Sequence, residues 1–548
     1  MQDELDNKVQ AGDMFEVNRV TEDVVKQALA RMKTGKNDSI YDFQSDCLTE
    51  GPPGLVTHLT HLIRSFLIHG QVPYFLLVCT LLPLVKDNLG DITQSDNYRA
   101  IASGSQILKL LDIIILILEG DKFGCDQLQF GFQAKSSTSM CSWGITSVID
   151  YYNRQGSVVY GCAMDLSKAF DMVEWIKLFK VLVERNVSAI ILRTLLWIYS
   201  SQSCDVRWNG SSSDKFSVSN GVRQGAVSSP IFFSLYINDL FTILRNSGLG
   251  CRLCNIFFGC FGYADDLFLL SASRSGLQSM VDICDRFATD RNLKFSTNVD
   301  PSKSKTKCIV FSKKPKERQN VAPVLLNGDP LPWVEEVKHL GNLLECDNSM
   351  KRDITVKRAK FIGKLNSLSQ EFHHVSPKVF MKILNIYSVS FHGSGLWDIM
   401  SSKCEGLYKA WNVAVRLAFQ VPRNTHRYLI EEISGCLHPK VMLASRYVKF
   451  VEQLKSSNKM GIRVLANLAE QDQRTVMGRT LSVMARECMC EVGDLTPSNV
   501  KKTLKYFTVP EEETWRLGPI HELTADDLFV PGFTDEETSE ILDTLCTS

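Results

Sequence analysis

No stretch of this chain is apolar for long enough to cross a bilayer. The longest such run, Val72 to Val85, covers fourteen residues and contains Pro73 and Pro83. A spanning helix needs about 20. Ile113 to Leu118 is shorter still, and both runs are expected in a core. The ten histidines contain no HExxH pattern, and seventeen cysteines are scattered without a disulfide framework. A large chain without a secretory signal is expected in a reducing, intracellular compartment. Cys251 and Cys254 have metal-ligand spacing, with Cys260 nearby, but no second pair or histidine cluster completes a zinc site. Net charge is missing too, with 61 Lys and Arg against 61 Asp and Glu. That balance hides an asymmetry. Residues 511–548 hold eleven acids against Arg516 alone, a net −10, which leaves residues 1–510 at +10. A basic body suits a polyanionic partner.

What is present is a chain of 548 residues, 44% hydrophobic and 22% charged, long enough for several subdomains with real cores. Its organising stretch is Phe261-Gly262-Tyr263-Ala264-Asp265-Asp266-Leu267-Phe268-Leu269-Leu270. Apolar runs flank a short polar pair, with Ile256-Phe257-Phe258 before and Leu267 to Leu270 after. That pattern predicts a β-hairpin with the carboxylates at the turn. Asn-Gly or Asp-Gly would make an easier two-residue loop. Like charges side by side repel, so a divalent cation held by hard oxygen ligands is their natural partner. An exposed acidic loop is the plain alternative.

Two further stretches weigh against that alternative. Val158 to Met164 is an apolar run ending in Asp165, and a helical pattern follows through Trp175, Ile176, Leu178, Phe179, Leu182 and Val183. Asp165 is therefore expected at a strand end, able to project towards Asp265 and Asp266. Three carboxylates on two neighbouring strands suit two-metal phosphoryl transfer. In such a site one ion activates a hydroxyl, and the other neutralises charge on leaving pyrophosphate. The second stretch is Asn220-Gly221-Val222-Arg223-Gln224-Gly225-Ala226-Val227-Ser228-Ser229-Pro230. Ser229 as N-cap and Pro230 in the first turn predict a helix start. The glycines let backbone approach a ligand closely, and Gln224 can offer its amide to a nucleotide there.

The ordered set Asp165 to Phe170, Arg223-Gln224-Gly225 with Ser229-Pro230, and Tyr263-Ala264-Asp265-Asp266 resembles reverse transcriptases, above all those of non-LTR (LINE-type) retrotransposons. Similarity extends from about Val24 to about Arg479. It takes in Asp96-Asn97-Tyr98-Arg99, Gln129-Phe130-Gly131-Phe132, Lys303 to Cys308, and His339-Leu340-Gly341. The resemblance implies an α+β right-hand polymerase with fingers, a palm built on an antiparallel sheet, a helical thumb and a helical C-terminal extension. It implies two Mg2+ ions on Asp165, Asp265 and Asp266, and as partners an RNA template, a DNA primer and deoxynucleoside triphosphates. Lys86 and Arg99 are candidates for gripping the triphosphate, Phe170 for lying under the sugar, and Gln224 and Gly225 for shaping the nucleotide pocket. Lys305 resembles the family's basic residue near the pyrophosphate.

The divisions expected are an N-terminal helical entry to the fingers over 1–66 and the reverse transcriptase domain over 67–345. A helical thumb and extension follow over 346–486, then a loosely ordered tail over 487–548. Thr21 should cap a first helix closed by Gly35, and a second should run from Leu55 to His69. Asn209-Gly210 should turn a hairpin. Val337 to Leu344 resembles the hairpin that grips the primer end. A basic helix from Lys351 then starts the thumb, suited to tracking phosphates without reading sequence. Trp397, Trp411, Arg416 and Pro422-Arg423 repeat a pattern found after the polymerase in related elements, without an evident chemistry. Neither an endonuclease segment nor a CCHC knuckle is expected within these residues. Ala100, Ala226 and Ser228 depart from the family's usual Pro, Gly and Leu. Three other readings stay open: an RNA-templated RNA polymerase, a group II intron-type enzyme, and a catalytically impaired relic that only binds nucleic acid.

Overall fold

A computed structural model describes residues 17–38, 42–88, 90–223, 225–297 and 304–504. Gln224 and the acidic stretch 511–548 lie outside the described residues. The chain divides into two compact units. The first comprises residues 1–136, 161–308 and 322–332, and the second 137–160, 309–321 and 333–548.

The first unit is mixed. Its helix Glu22–Arg31 begins as expected, with the Thr21 hydroxyl accepting from the Val24 N–H and acids in the first turn. It ends at Met32 rather than at Gly35, whose N–H is taken by the Asp46 carboxylate, 2.9 Å away. The helix Gly54–His69 closes on left-handed Gly70. The long apolar run splits into one helical turn, Tyr74–Leu77, and strand β1, Val78–Val85. Strand β2, Tyr98–Ser103, pairs antiparallel with β1 and sets Leu84 opposite Arg99. On its other side β1 pairs in parallel with Ser203–Trp208, but only as far as Leu81. Pro83 lies beyond that pairing, where its missing N–H costs no parallel rung. Helix α1, Gln106–Leu118, is capped by Ser105 and buries Leu110, Leu111, Ile113, Ile114 and Ile115, the core role expected of that run.

Strand β3, Val159–Asp165, ends on its carboxylate as predicted. Helix α2, Ser229–Tyr236, starts at Ser229 with Pro230 in its first turn, so the N-cap is Ser228 rather than Ser229. The Ser228 side chain makes no cap bond, because its hydroxyl is turned onto the buried Asp112 carboxylate at 3.2 Å. Strands β4, Cys260–Tyr263, and β5, Asp266–Ser271, form the central hairpin. In the sheet β3 lies between β5 and the strand that begins at Lys307.

Ile256–Phe257 is not an arm of that hairpin. It pairs with Arg252–Leu253 across a turn in which Cys254 and Asn255 both have positive φ. Two such residues are the mark of a type I′ loop. The Cys-x-x-Cys spacing is therefore hairpin geometry, and no two cysteines among the described residues are joined in a disulfide. Asn209 and Gly210, also both at positive φ, turn the predicted hairpin after Trp208.

The second unit is mainly helical, with Thr138–Arg154, Lys351–Glu371, Pro377–Ser388, Glu405–Ala418, Pro439–Lys455, Met460–Gln471 and Val476–Glu487. Its hairpin, Glu336–His339 with Asn342–Glu345, turns on Leu340 and Gly341. Trp397 and Trp411 are both fully buried. The Trp397 indole donates to Asp353 Oδ2 at 2.9 Å, and the other oxygen of Asp353 accepts the Leu343 N–H at 3.1 Å. That tryptophan thus ties the hairpin to the helix Lys351–Glu371. Helical structure continues past Glu487 with Pro497–Thr503, where Val500 is buried and the Ser445 hydroxyl reaches the Pro497 carbonyl. The α+β class expected of a right-hand polymerase stands. No helix among the described residues is long and apolar enough to cross a membrane.

Candidate active site

Tyr263 and Asp266 close the β4–β5 hairpin as a pair, leaving Ala264 and Asp265 as its two-residue loop. Ala264 has φ +56° while Asp265 stays at negative φ, the pattern of a type II′ turn. Glycine is the usual first residue there, so an alanine is held against its preference. The expectation of two carboxylates at the turn needs adjusting. Asp265 sits at the tip, and Asp266 is the first residue of β5.

Asp165 joins them from the end of the adjacent strand β3. Its Oδ2 is buried and accepts no hydrogen bond, and the Lys305 amine stands 3.4 Å away. Burial and the neighbouring Asp165 raise the Asp265 carboxyl above the ordinary range, with Arg99 and Lys305 opposing. Burial, then Asp265, then Asp165 push Asp266 up to about 6. Three carboxylates thus share one poorly solvated pocket and repel each other. Among the described residues no three His, Cys, Asp or Glu side chains form a group that could hold a metal ion as they stand. An open set of hard oxygens is nonetheless suited to Mg2+, which keeps waters and takes ligands from substrate phosphates. The undonated Asp165 oxygen fits such an ion.

The other candidates group around this pocket unevenly. Phe170, half-buried, stacks on Phe233 of α2 at 4.8 Å between ring centroids, and its carbonyl accepts the Val222 N–H. Arg99, on β2, is exposed yet acts electrostatically on Asp265. Lys86 is exposed and its amine donates to the Asp96 carbonyl at 2.8 Å. The Asp96 carboxylate pairs in turn with Lys168 at 3.0 Å. Gly225 has φ +93°, and a Cβ there would lie 2.2 Å from the Ala102 carbonyl oxygen, so no larger residue fits.

Two residues assigned no role from the sequence support this site. Asp112 of α1, 1% exposed, receives the Arg223 guanidinium at 2.8 Å, the Ser228 hydroxyl and the Val227 N–H. One carboxylate thereby fixes both ends of the loop that carries Gly225. Its signal was visible: a lone acid inside Leu110-Leu111-Asp112-Ile113-Ile114, where only a buried partner makes sense. Gln129 was noted only within a family motif, and its side chain meets the Ala264 turn.

With this geometry in place, comparison with known proteins shows what the chain is similar to. Residues 86–344 match the family model "Reverse transcriptase (RNA-dependent DNA polymerase)". Over 233 residues the chain is 24% identical to the Retrovirus-related Pol polyprotein from type-2 retrotransposable element R2DM of Drosophila melanogaster, covering 42% of this chain and 22% of that protein. Over 362 residues it is 21% identical to the RNA-directed DNA polymerase from mobile element jockey of Drosophila funebris, covering 64% of this chain and 38% of the relative. The chain spans well under half the length of these curated relatives. Residues 86–344 are thus similar to a reverse transcriptase domain, and both of these relatives are named for mobile elements. Among solved structures, telomerase from Candida albicans overlaps 82% of this chain and 68% of its own, at 11% identity and a TM-score of 0.37. That overlap is too loose to add to the argument.

Proposed function

We propose that this chain is an RNA-directed DNA polymerase of a non-LTR retrotransposon, extending a DNA primer along an RNA template. The observation that carries the proposal is the meeting of Asp165, with its undonated buried oxygen, and the two carboxylates Asp265 and Asp266. These side chains would hold two Mg2+ ions. When bound, the ions supply activation of the primer 3′-hydroxyl and neutralisation of the departing pyrophosphate. The chain's own residues do the rest. Phe170 presents a rigid aromatic surface beside the carboxylates and closes the space a ribose 2′-hydroxyl would need. Gly225 keeps the pocket wall thin. Arg99 and Lys86 offer positive charge to the triphosphate, and the Lys305 amine stabilises the leaving group. Gln224 would add its amide. The boundaries proposed are fingers and palm over 67–345 and thumb with its extension over 346–486.

Poly(rA)/oligo(dT) with dTTP and Mg2+ tests this directly. Wild-type protein extends the primer, and Asp265→Asn abolishes extension while template-primer affinity stays within a few fold, because basic side chains hold the phosphates. Extension by Asp265→Asn above a few per cent of the wild-type rate rejects its role. Wild-type binding without extension would favour the impaired relic.

A further inference from the structure

Gln129 lies fully buried against the catalytic turn, and its amide oxygen accepts two backbone N–H groups. One comes from Gly131 at 2.9 Å and the other from Ala264 at 3.0 Å. The backbone around it adds a rung to β4: Phe130 N–H donates to the Gly262 carbonyl at 2.7 Å, and Gly262 N–H to the Leu128 carbonyl at 2.8 Å. Gly131 completes the contact. A Cβ at that position would lie 2.3 Å from the Ala264 nitrogen, so only glycine lets the segment approach this closely. With its oxygen committed to backbone donors and no exposed surface, Gln129 has no free face for substrate.

From this arrangement we infer that Gln129 is a positioning residue for Asp265. It holds Ala264 in a left-handed conformation that the residue does not favour by itself. Ala264 is 3% exposed, so water cannot replace the bond. Without that acceptor the Ala264 N–H is orphaned, and the turn relaxes towards negative φ. The Asp265 carboxylate, one residue on, is carried away from Asp165. The sequence pattern Gln-x-Gly at 129–131 thus serves the Tyr-Ala-Asp-Asp turn: the glutamine supplies the acceptor and the glycine the room. The inference rests on the polymerase reading above.

The test uses the full chain with Gln129→Met, which keeps length and bulk but removes the acceptor. Gln129→Met should lower the single-turnover dTTP incorporation rate on the order of a hundredfold, the scale of a 1 Å misplacement. KM for dTTP and template-primer affinity should stay within about threefold, since Gln129 touches neither. Mn2+ binding, followed by its EPR signal with a chain-terminated primer, should weaken in parallel. The discriminating variant adds Ala264→Gly, because glycine takes positive φ without a steric penalty. Gln129→Met with Ala264→Gly should regain at least about tenfold in rate and recover Mn2+ affinity; this double variant is compared with Ala264→Gly alone. Should Gln129→Met not fold, Gly131→Ala keeps the amide, pushes on the Ala264 nitrogen, and should show the same losses. Unchanged rate and Mn2+ affinity in a folded variant overturn the inference, as does a loss that Ala264→Gly cannot relieve. Failure of wild-type extension would overturn the polymerase reading instead, leaving the Mn2+ titration to judge the brace alone.

Discussion

Replacing Asp266 with asparagine should stabilise the metal-free protein while destroying its activity. Burial, Asp265 and Asp165 push the Asp266 carboxyl from about 3.8 to about 6. The folded chain therefore holds this proton more tightly than the unfolded chain does. Stability that the protonated carboxyl contributes is fully present below about pH 4. It is lost progressively as pH rises, and is gone above about pH 6. A rise of roughly two units corresponds to about 3 kcal/mol between the two forms, and partial solvent access trims that to about 1–3 kcal/mol. Asparagine has nearly the same shape and no charge, so it escapes the penalty. Urea unfolding in EDTA should put Asp266→Asn about 1–3 kcal/mol above wild type at pH 8, with the gap closing towards pH 4. Mg2+ should narrow the gap at pH 8 by stabilising wild type more than the variant. Equal stability at pH 8, or a gap of the same size at both pH values, would refute the claim that repulsion and burial strain this carboxylate.

Two other changes probe the surroundings. Phe170→Val should raise ribonucleotide relative to deoxynucleotide incorporation at least about tenfold, or ~1.4 kcal/mol, in competing single-nucleotide extensions; an unchanged ratio removes Phe170 as the gate, and a wild-type preference for ribonucleotides would overturn reverse transcription itself. Asp112→Leu should cost about 3–5 kcal/mol in urea melts by stranding the buried Arg223, and adding Arg223→Met should recover most of that while the KM for dTTP stays raised; a double variant with normal KM would show that the pair only fills space.

The residues legible in the sequence were those whose chemistry repeats in local pattern. Asp165 ends an apolar run, so strand propensity alone placed it at a strand end. Asp265 and Asp266 interrupt alternating apolar arms, so a hairpin was predictable even though Ile256–Phe257 was wrongly given to it. That error has a physical source. Phe257 and Phe261 are both apolar and buried, and only the backbone turn at Cys254-Asn255, which folds Ile256–Phe257 back onto Arg252–Leu253, marks a separate hairpin. The misplaced cap at Ser229 has another. Local helix-start rules cannot register a carboxylate on α1, over a hundred residues away, which draws the Ser228 hydroxyl off the helix end. Gly35 failed as a stop signal for a related reason, because its N–H answers to Asp46 rather than to the preceding helix.

What stayed hidden was support rather than chemistry. Asp112 and Gln129 lie in separate segments remote from the residues they hold, and neither needs to touch a substrate to matter. A carboxylate inside an apolar helix signals a buried partner without naming it, and a glutamine two residues before a glycine has a plain explanation as ordinary loop. Only the folded chain shows that both are spent on backbone and side-chain donors of the two loops that bear the reacting groups. The catalytic turn illustrates why such support must exist. Type II′ geometry with alanine in its first position is unfavourable on steric grounds, and burying Asp265 beside two other acids is unfavourable on electrostatic grounds. A chain folding under its own propensities would relax both. That these carboxylates nonetheless stand together means the strain is opposed locally, by Gln129 at the turn and by Lys305 beside Asp165. A pocket held ready in that way has its strongest interactions still unmade, which is the condition in which a divalent cation gains most by entering.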